Sequence, residues 1–303
     1  MVEDSSRTGA KVAHTGEPHP VILITGGTSG IGLNLALALA RRQVRLILVG
    51  HRPEHAQQAR HQLDREVPQA AVDLLVTDLS RLQDVRALAE DIRTRYDRLD
   101  VLINNSGGIF LRRGETVDGF ERTFALNHLS PFLLTHELLP LLRQSTPSRI
   151  VITASEAHRG ARLHLDDLQL KRGFNVWTAY GQSKLANVMF TYELARRLRG
   201  EPISVNCFHP GLVRTNFGKN NPLIRPFMSL GLWLLGRDPA EAARQALPLV
   251  VSDRFQSHSG SYVIDGKPVR SSTISYDETT ARRLWAVSQQ LTGIEDDWGF
   301  ETE

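Results

Sequence analysis

The chain has 303 residues, 41% of them hydrophobic, which is enough for one large core. Its 36 basic and 33 acidic residues leave a formal net charge of only +3, and the arginines are scattered rather than interleaved with aromatics, so no nucleic-acid partner is expected. The one cysteine, Cys207, lies in the apolar run Ile203 to Phe208, which excludes an intrachain disulfide and a thiolate metal cluster; a buried inert thiol and no metal are expected.

Residues 1–19 are rich in charges and turn formers and lack the apolar centre of a signal peptide, so a flexible tail on a cytoplasmic protein is expected. From Val21 onward, short β-branched runs alternate with longer amphipathic ones, the pattern of an α/β domain over 20–303 with helices on both faces of a sheet. The strands are predicted at Val21 to Thr25, Val44 to Gly50, Val72 to Thr77, Val101 to Asn104, Arg149 to Ala154, Ile203 to Phe208 and Ser261 to Ile264. Their nearly continuous apolar character predicts a central seven-stranded parallel sheet buried on both faces. Between them, Val85, Leu88, Ala89 and Ile92, and later Leu185, Val188, Met189, Tyr192 and Leu198, recur at helical spacing.

Directly after the first strand comes Thr25-Gly26-Gly27-Thr28-Ser29-Gly30-Ile31-Gly32, followed by an alanine- and leucine-rich helix. Glycines allow a tight turn and close backbone approach, while a helix N-terminus presents free N–H groups and partial positive charge, so Gly26, Thr28, Ser29, Gly30, Ile31 and Gly32 are candidates for holding a pyrophosphate. No lysine follows Gly32, which disfavours a P-loop hydrolase.

Tyr180 and Lys184 are four residues apart in a helical segment and share one face. A tyrosine ordinarily titrates near 10, and a close ammonium favours its phenolate; lowering it by about two to three units corresponds to roughly 3 to 4 kcal/mol. Ser155 ends the fifth strand, the edge at which ligands lie in an open parallel sheet, with Thr153 as the competing hydroxyl. Asn127 precedes Pro131 by four, and proline has no N–H for the Asn127 carbonyl, which either frees that carbonyl or simply kinks the helix.

Further motifs follow in order: Asp78-Leu79, Asn104-Asn105-Ser106-Gly107, Asn127, Ser155, Tyr180-Gly181-Gln182-Ser183-Lys184 and His209-Pro210-Gly211. Together with the glycine-rich turn they resemble the short-chain dehydrogenase/reductase family over about residues 20 to 292. The Ser155 to Tyr180 spacing, the run Ser183-Lys184-Leu185-Ala186-Asn187 and Arg282-Arg283-Leu284-Trp285 look most like its retinol dehydrogenase and WW-domain oxidoreductase branch. The resemblance implies a single Rossmann-type doubly wound domain and hydride transfer between a nicotinamide and a carbonyl or alcohol. Tyr180 would be the acid-base residue, Ser155 would stabilise the substrate oxygen, and Lys184 would tune Tyr180 and hold the nicotinamide ribose. The backbone at Asn127 would hold a water. Asp78 would take the adenine amino group and Asn105 the nicotinamide side, with Leu79, Gly107, Pro210, Gly211 and Val213 along the cofactor. The family often has two adjacent serines where this chain has Ala154-Ser155.

The second strand ends Val49-Gly50-His51-Arg52, without the carboxylate that binds a free ribose 2′-hydroxyl. Arg52 offers a planar fork suited to a 2′-phosphate, which favours NADP(H) over NAD(H), although the family's usual arginine aligns nearer His51.

The apolar stretch Pro222 to Gly236 is interrupted by Arg225 and is shorter than the about 20 apolar residues that span a bilayer. By resemblance, residues about 212–238 form a lid over a lipophilic ketone, aldehyde or alcohol; contact with a membrane surface is the less favoured reading. A homodimer or homotetramer paired through the helices of Asn127 and Tyr180 is also implied. A nucleotide-sugar epimerase or dehydratase is disfavoured by the lack of an added substrate domain, and a non-enzymatic dinucleotide sensor would not need serine, tyrosine, lysine and asparagine together.

Overall fold

Buried β-branched runs pair into one sheet with the order β3-β2-β1-β4-β5-β6-β7-β8 in the computed structural model, which describes residues 19–211, 238–295 and 298–300. The strands are β1 (Val21–Thr25), β2 (Arg45–Gly50), β3 (Ala71–Val76), β4 (Val101–Asn104), β5 (Ser148–Thr153), β6 (Ile203–Phe208), β7 (Ser261–Ile264) and β8 (Lys267–Val269). Strands β1, β4, β5 and β6 are buried along their whole length, as a sheet covered on both faces requires.

The sheet differs from the predicted seven parallel strands: among the described residues it has eight, and β8 runs antiparallel to β7. Asp265 and Gly266 adopt φ values of 50° and 68°, the left-handed pair that a two-residue hairpin turn demands. Pro268 is tolerated because β8 is an exposed edge strand, where a missing N–H leaves no ladder bond unmade.

One face of the sheet packs α1 (Gly30–Ala40), α2 (Pro53–Glu66) and α6 (Pro239–Val251), which contribute Leu35, Leu63, Ala243 and Leu249 to one core cluster. The other face packs α3 (Leu82–Arg95), α4 (Ser130–Gln144) and α5 (Val176–Arg197), with Val85, Leu133 and Leu185 in a second cluster. Helix α7 (Glu278–Thr292) lies against α5, and its Trp285, together with Trp298 beyond its end, meets Phe132 of α4 with ring centroids 5.0 and 4.9 Å apart. Strand order reverses around β1, so a crevice opens at the carboxyl ends of β1 and β4, where doubly wound sheets bind ligands.

His128 is buried among Phe124, Phe132 and Phe190, and its Nε2 lies 2.9 Å from Ser288 Oγ on α7. Burial pushes the imidazole down to about 4, with a hydrogen bond to Asn187 opposing. In the unfolded chain the same ring titrates near 6.5, so its contribution to stability is complete above that pH and is lost as pH falls towards 4. Urea unfolding of the wild type should therefore lose about 3 kcal/mol across that window relative to His128→Gln. Equal pH slopes for the two proteins would contradict this account.

Among the described residues no helix is long and apolar enough to cross a membrane, and no group of His, Cys, Asp or Glu is placed to hold a metal. Cys207 is a free, fully buried thiol that burial pushes up to about 12.

Candidate active site

The turn leaving β1 is tied to the loop leaving β4. Thr25 Oγ1 accepts hydrogen bonds from the amides of Asn105 and Ser106 at 2.9 and 3.0 Å, and Asn105 Nδ2 donates to Thr25 O at 3.0 Å. Gly26 and Gly30 have φ values of 65° and 54°, and a Cβ on Gly32 would stand 2.2 Å from Gly26 O. Only glycine permits this approach of α1 to the turn. Ser29 precedes α1 without a side-chain cap, and no acidic residue lies in the first turn, so the opening N–H groups of Gly30, Ile31 and Gly32 are not neutralised by a carboxylate. Thr28 is buried against the end of β2, since a Cβ on Gly50 would lie 2.2 Å from its Oγ1.

The Asn105 side chain also braces the cradle, because Nδ2 bonds Thr25 O and Oδ1 accepts from Thr153 Oγ1 at 3.3 Å. Leu79 has its side chain in the core, 5% exposed. Asp78 Oδ1 accepts from the amide and hydroxyl of Ser80 at 3.0 and 2.7 Å, and its Oδ2 lies 3.8 Å from His51 Nε2. Arg52 stands at the residue before α2 without a side-chain cap, is exposed, and its guanidinium has no ion pair among the described residues.

Asn175 caps α5 by accepting from the amides of Trp177 and Thr178 at 2.9 and 3.2 Å, which sets the register of Tyr180 and Lys184 on the inner side of the helix. At the end of β5, Ser155 caps a short helical turn, its Oγ accepting from Ala157 N at 3.2 Å. The Tyr180 hydroxyl is hydrogen-bonded to the Ser155 side chain. Helix and turn come this close because residue 181 is glycine: a Cβ there would sit 3.1 Å from Ala157 O.

In the chain alone, burial is the largest influence on the Tyr180 phenol. Burial pushes the phenol up, and the hydrogen bond from Ser155 works against that shift. Lys184 Nζ stands 5.7 Å from the Tyr180 ring centroid and donates to Thr153 O at 2.9 Å. Burial also pushes the ammonium itself down to about 8, so desolvation outweighs charge attraction in this pocket.

Residues Ala125–Leu129 form a π-helical segment in which the Ser130 amide bonds Ala125 O, directly ahead of Pro131. Attention to the Asn127 carbonyl missed its side chain. Oδ1 accepts from Gly108 N at 2.8 Å, and Nδ2 donates to Gly108 O and Ser183 Oγ, both at 3.0 Å. Ser183 Oγ in turn donates to Tyr180 O at 2.8 Å. Asn127 therefore fastens the loop after β4 to the helix of Tyr180, and a Cβ on Gly107 would lie 3.1 Å from its Oδ1 and 3.5 Å from Lys184 Nζ.

Pro210 is buried and Gly211 has a φ of 86°, both just beyond β6. Val213 and the rest of 212–237 lie outside the described residues. A cleft of about 700 Å³ opens on the opposite face of α5, lined by Thr178, Leu185 and Met189, and touches none of Ser155, Tyr180 or Lys184.

A family model for short chain dehydrogenases matches residues 20–223. Retinol dehydrogenase 14 of Homo sapiens is 39% identical over 289 residues, covering 90% of this chain and 86% of that protein. Among solved structures, an uncharacterized protein from Mycobacterium paratuberculosis is similar with a TM-score of 0.74 and 34% identity, covering 91% of this chain and 95% of that one. The Pseudomonas aeruginosa RhlG/NADP active-site complex is similar with a TM-score of 0.65 and 28% identity, covering 82% and 96%.

Proposed function

The chain belongs to the short-chain dehydrogenase family, and from that premise we propose that it is an NADP(H)-dependent oxidoreductase acting on a lipophilic ketone, aldehyde or alcohol. The observation that carries this reading is Ser155, beyond the end of β5, facing Tyr180 on α5, the helix that also carries buried Lys184, beside a glycine cradle at the switch point of the sheet. The residues present suit a dinucleotide. Gly26, Thr28, Ser29, Gly30, Ile31 and Gly32 would hold its pyrophosphate, Asp78 and Leu79 its adenine side, and Lys184 its nicotinamide ribose, with Asn105, Gly107, Pro210, Gly211 and Val213 along its length. When bound, NADP(H) supplies or accepts the hydride.

The chain's own part is proton transfer and orientation. Tyr180 gives its phenol proton to the oxygen of a carbonyl substrate, or takes it from an alcohol, and Ser155 donates a hydrogen bond to that oxygen. Lys184, held by Thr153 O, carries the positive charge of the site, and Asn127 keeps the helix of Tyr180 aligned with the loop after β4. Initial rates of NADPH oxidation with a panel of apolar aldehydes and ketones test the reading; no turnover of any member, with NADPH bound, would favour a sensor instead.

Preference for NADP(H) rests on Arg52 and on the absence of a carboxylate at the end of β2, and agrees with the NADP in the RhlG complex. A charge-assisted bond to phosphate is worth about 1.5 to 3 kcal/mol, so Arg52→Asp should reduce the ratio of kcat/KM for NADPH over NADH by about 10- to 100-fold. An unchanged ratio removes Arg52 from cofactor selection.

The lipophilic substrate is supported by the retinol dehydrogenase relatives and by the apolar composition of residues about 212–238, proposed as a lid within one domain spanning 20–303. The retinol dehydrogenase and WW-domain oxidoreductase branch remains the proposed position in the family. A homodimer or homotetramer paired through the helices that carry Asn127 and Tyr180 is part of this proposal, and size-exclusion chromatography with light scattering tests it.

A further inference from the structure

His158 follows Ser155 by three residues, is fully buried, and takes no part in the proton transfer described above. Its ring touches two backbone groups that are far apart in sequence. Nε2 lies 3.0 Å from the amide nitrogen of Ser272, on the connection between β8 and α7, and Nδ1 lies 2.6 Å from Ser155 O. A backbone amide can only donate, so Nε2 must present its lone pair. The neutral ring then carries its hydrogen on Nδ1, and that N–H can only point at the Ser155 carbonyl. Burial, which holds this imidazole below its ordinary range, favours the neutral form that this arrangement needs. An imidazolium would set an N–H against the Ser272 N–H.

The surroundings leave the ring one orientation. It packs edge-on against Tyr262, with centroids 4.8 Å apart, and the Tyr262 hydroxyl donates to Glu156 Oε1 at 2.6 Å. Glu156 also meets Arg159 at 2.8 Å, and its amide lies 3.3 Å from His209 Nδ1. The Ser155 carbonyl accepts a second bond from His158 N at 3.1 Å, so the peptide that follows the serine is held from two directions.

We propose that His158 is a positioning residue for Ser155: its tautomer, locked by the Ser272 amide, fixes the Ser155 peptide and thereby aims the Ser155 hydroxyl at Tyr180 and the substrate oxygen. The proposal rests on the reading of Ser155 as the group that stabilises the substrate oxygen. It links that group to the β8–α7 connection, where Ser271 and Ser275 are themselves bonded to each other at 2.6 Å. Misplacement of an orienting group by an ångström lowers turnover by up to about 100-fold without loss of binding.

Two substitutions separate positioning from mere packing. In His158→Asn the side-chain amide occupies the place of Nδ1 and keeps a donor for Ser155 O. In His158→Gln the amide oxygen extends to the place of Nε2 and keeps the acceptor for Ser272 N. With NADPH and the best aldehyde or ketone of the panel, kcat is expected to fall by about 10- to 100-fold in His158→Gln and by no more than about threefold in His158→Asn, with NADPH affinity unchanged in both. Ser155→Ala serves as the reference, and in that background His158→Gln should produce no further loss, because it acts through a hydroxyl that is gone. His158→Gln at wild-type kcat, or His158→Asn as slow as His158→Gln, overturns the proposal while leaving Ser155 in place. Wild-type kcat in Ser155→Ala overturns the catalytic reading of Ser155 itself.

Discussion

Tyr180→Phe is expected to lower kcat by about 1,000-fold or more while NADPH binds within about threefold of wild type. The substitution removes one oxygen and keeps the ring, so α5 and the glycine cradle after β1 are left as they are. No neighbour can take over the proton. Ser155 already accepts from Ala157 N, and its hydroxyl is far too weak an acid. Lys184 is turned to Thr153 O and stands 5.7 Å from the ring centre. Because burial raises the phenol, its protonated form persists at neutral pH, which suits carbonyl reduction. Alcohol oxidation needs the phenolate and is expected to quicken as pH rises. Stopped-flow traces of NADPH consumption and a fluorescence titration of NADPH measure the two halves of the prediction. Residual turnover above about a tenth of wild type would remove Tyr180 from the central role.

The second large effect belongs to the cradle. Gly32→Ala would place a Cβ 2.2 Å from Gly26 O and 2.9 Å from Asn105 Nδ2. The first of these atoms is backbone, and the second is held by Thr25 O, so neither can yield cheaply. Helix α1 has to move away from the turn, and its opening N–H groups move with it. Overpacking of this kind destabilises by about 1 to 3 kcal/mol, or a fall of roughly 2 to 10 °C in Tm for a chain of this size, and NADPH affinity should drop by at least about 30-fold. Gly30→Ala is the contrast. No atom lies within 4 Å of its added Cβ, so only the φ of 54° resists it, at about 1 to 2 kcal/mol. Equal NADPH affinity in Gly32→Ala and wild type would contradict the assignment of this turn to the pyrophosphate.

Much of the fold is legible along the chain because its signals are local. The seven parallel strands coincide with apolar runs bounded by turn formers, and β1, β4, β6 and β7 have the ends read from sequence alone. The eighth strand escaped because its three residues are exposed and include Pro268, although Asp265-Gly266 carries the composition of a hairpin turn. In the site, the four-residue spacing of Tyr180 and Lys184 places both on one face, and α5 bears that out. What the spacing does not reveal is that Lys184 bonds a carbonyl 31 residues away and is itself desolvated, or that burial of the phenol pushes Tyr180 up. Asn127 is similar: proximity to Pro131 is visible in the sequence, whereas the reach of its side chain to Gly108 and Ser183 is set by the packing of α5 on the loop after β4. His158 had no local signal, since its second partner, Ser272, is 114 residues distant.

Transfer of the hydride itself is the most direct test of the account. NADPH deuterated at both C4 positions should be incubated with the protein and the fastest carbonyl of the panel, and the product examined by mass spectrometry and proton NMR. The account predicts one deuterium on the carbinol carbon of the product, formed by wild type and not by Tyr180→Phe. A product without deuterium, or NADPH that binds and stays unchanged with every carbonyl offered, would contradict it.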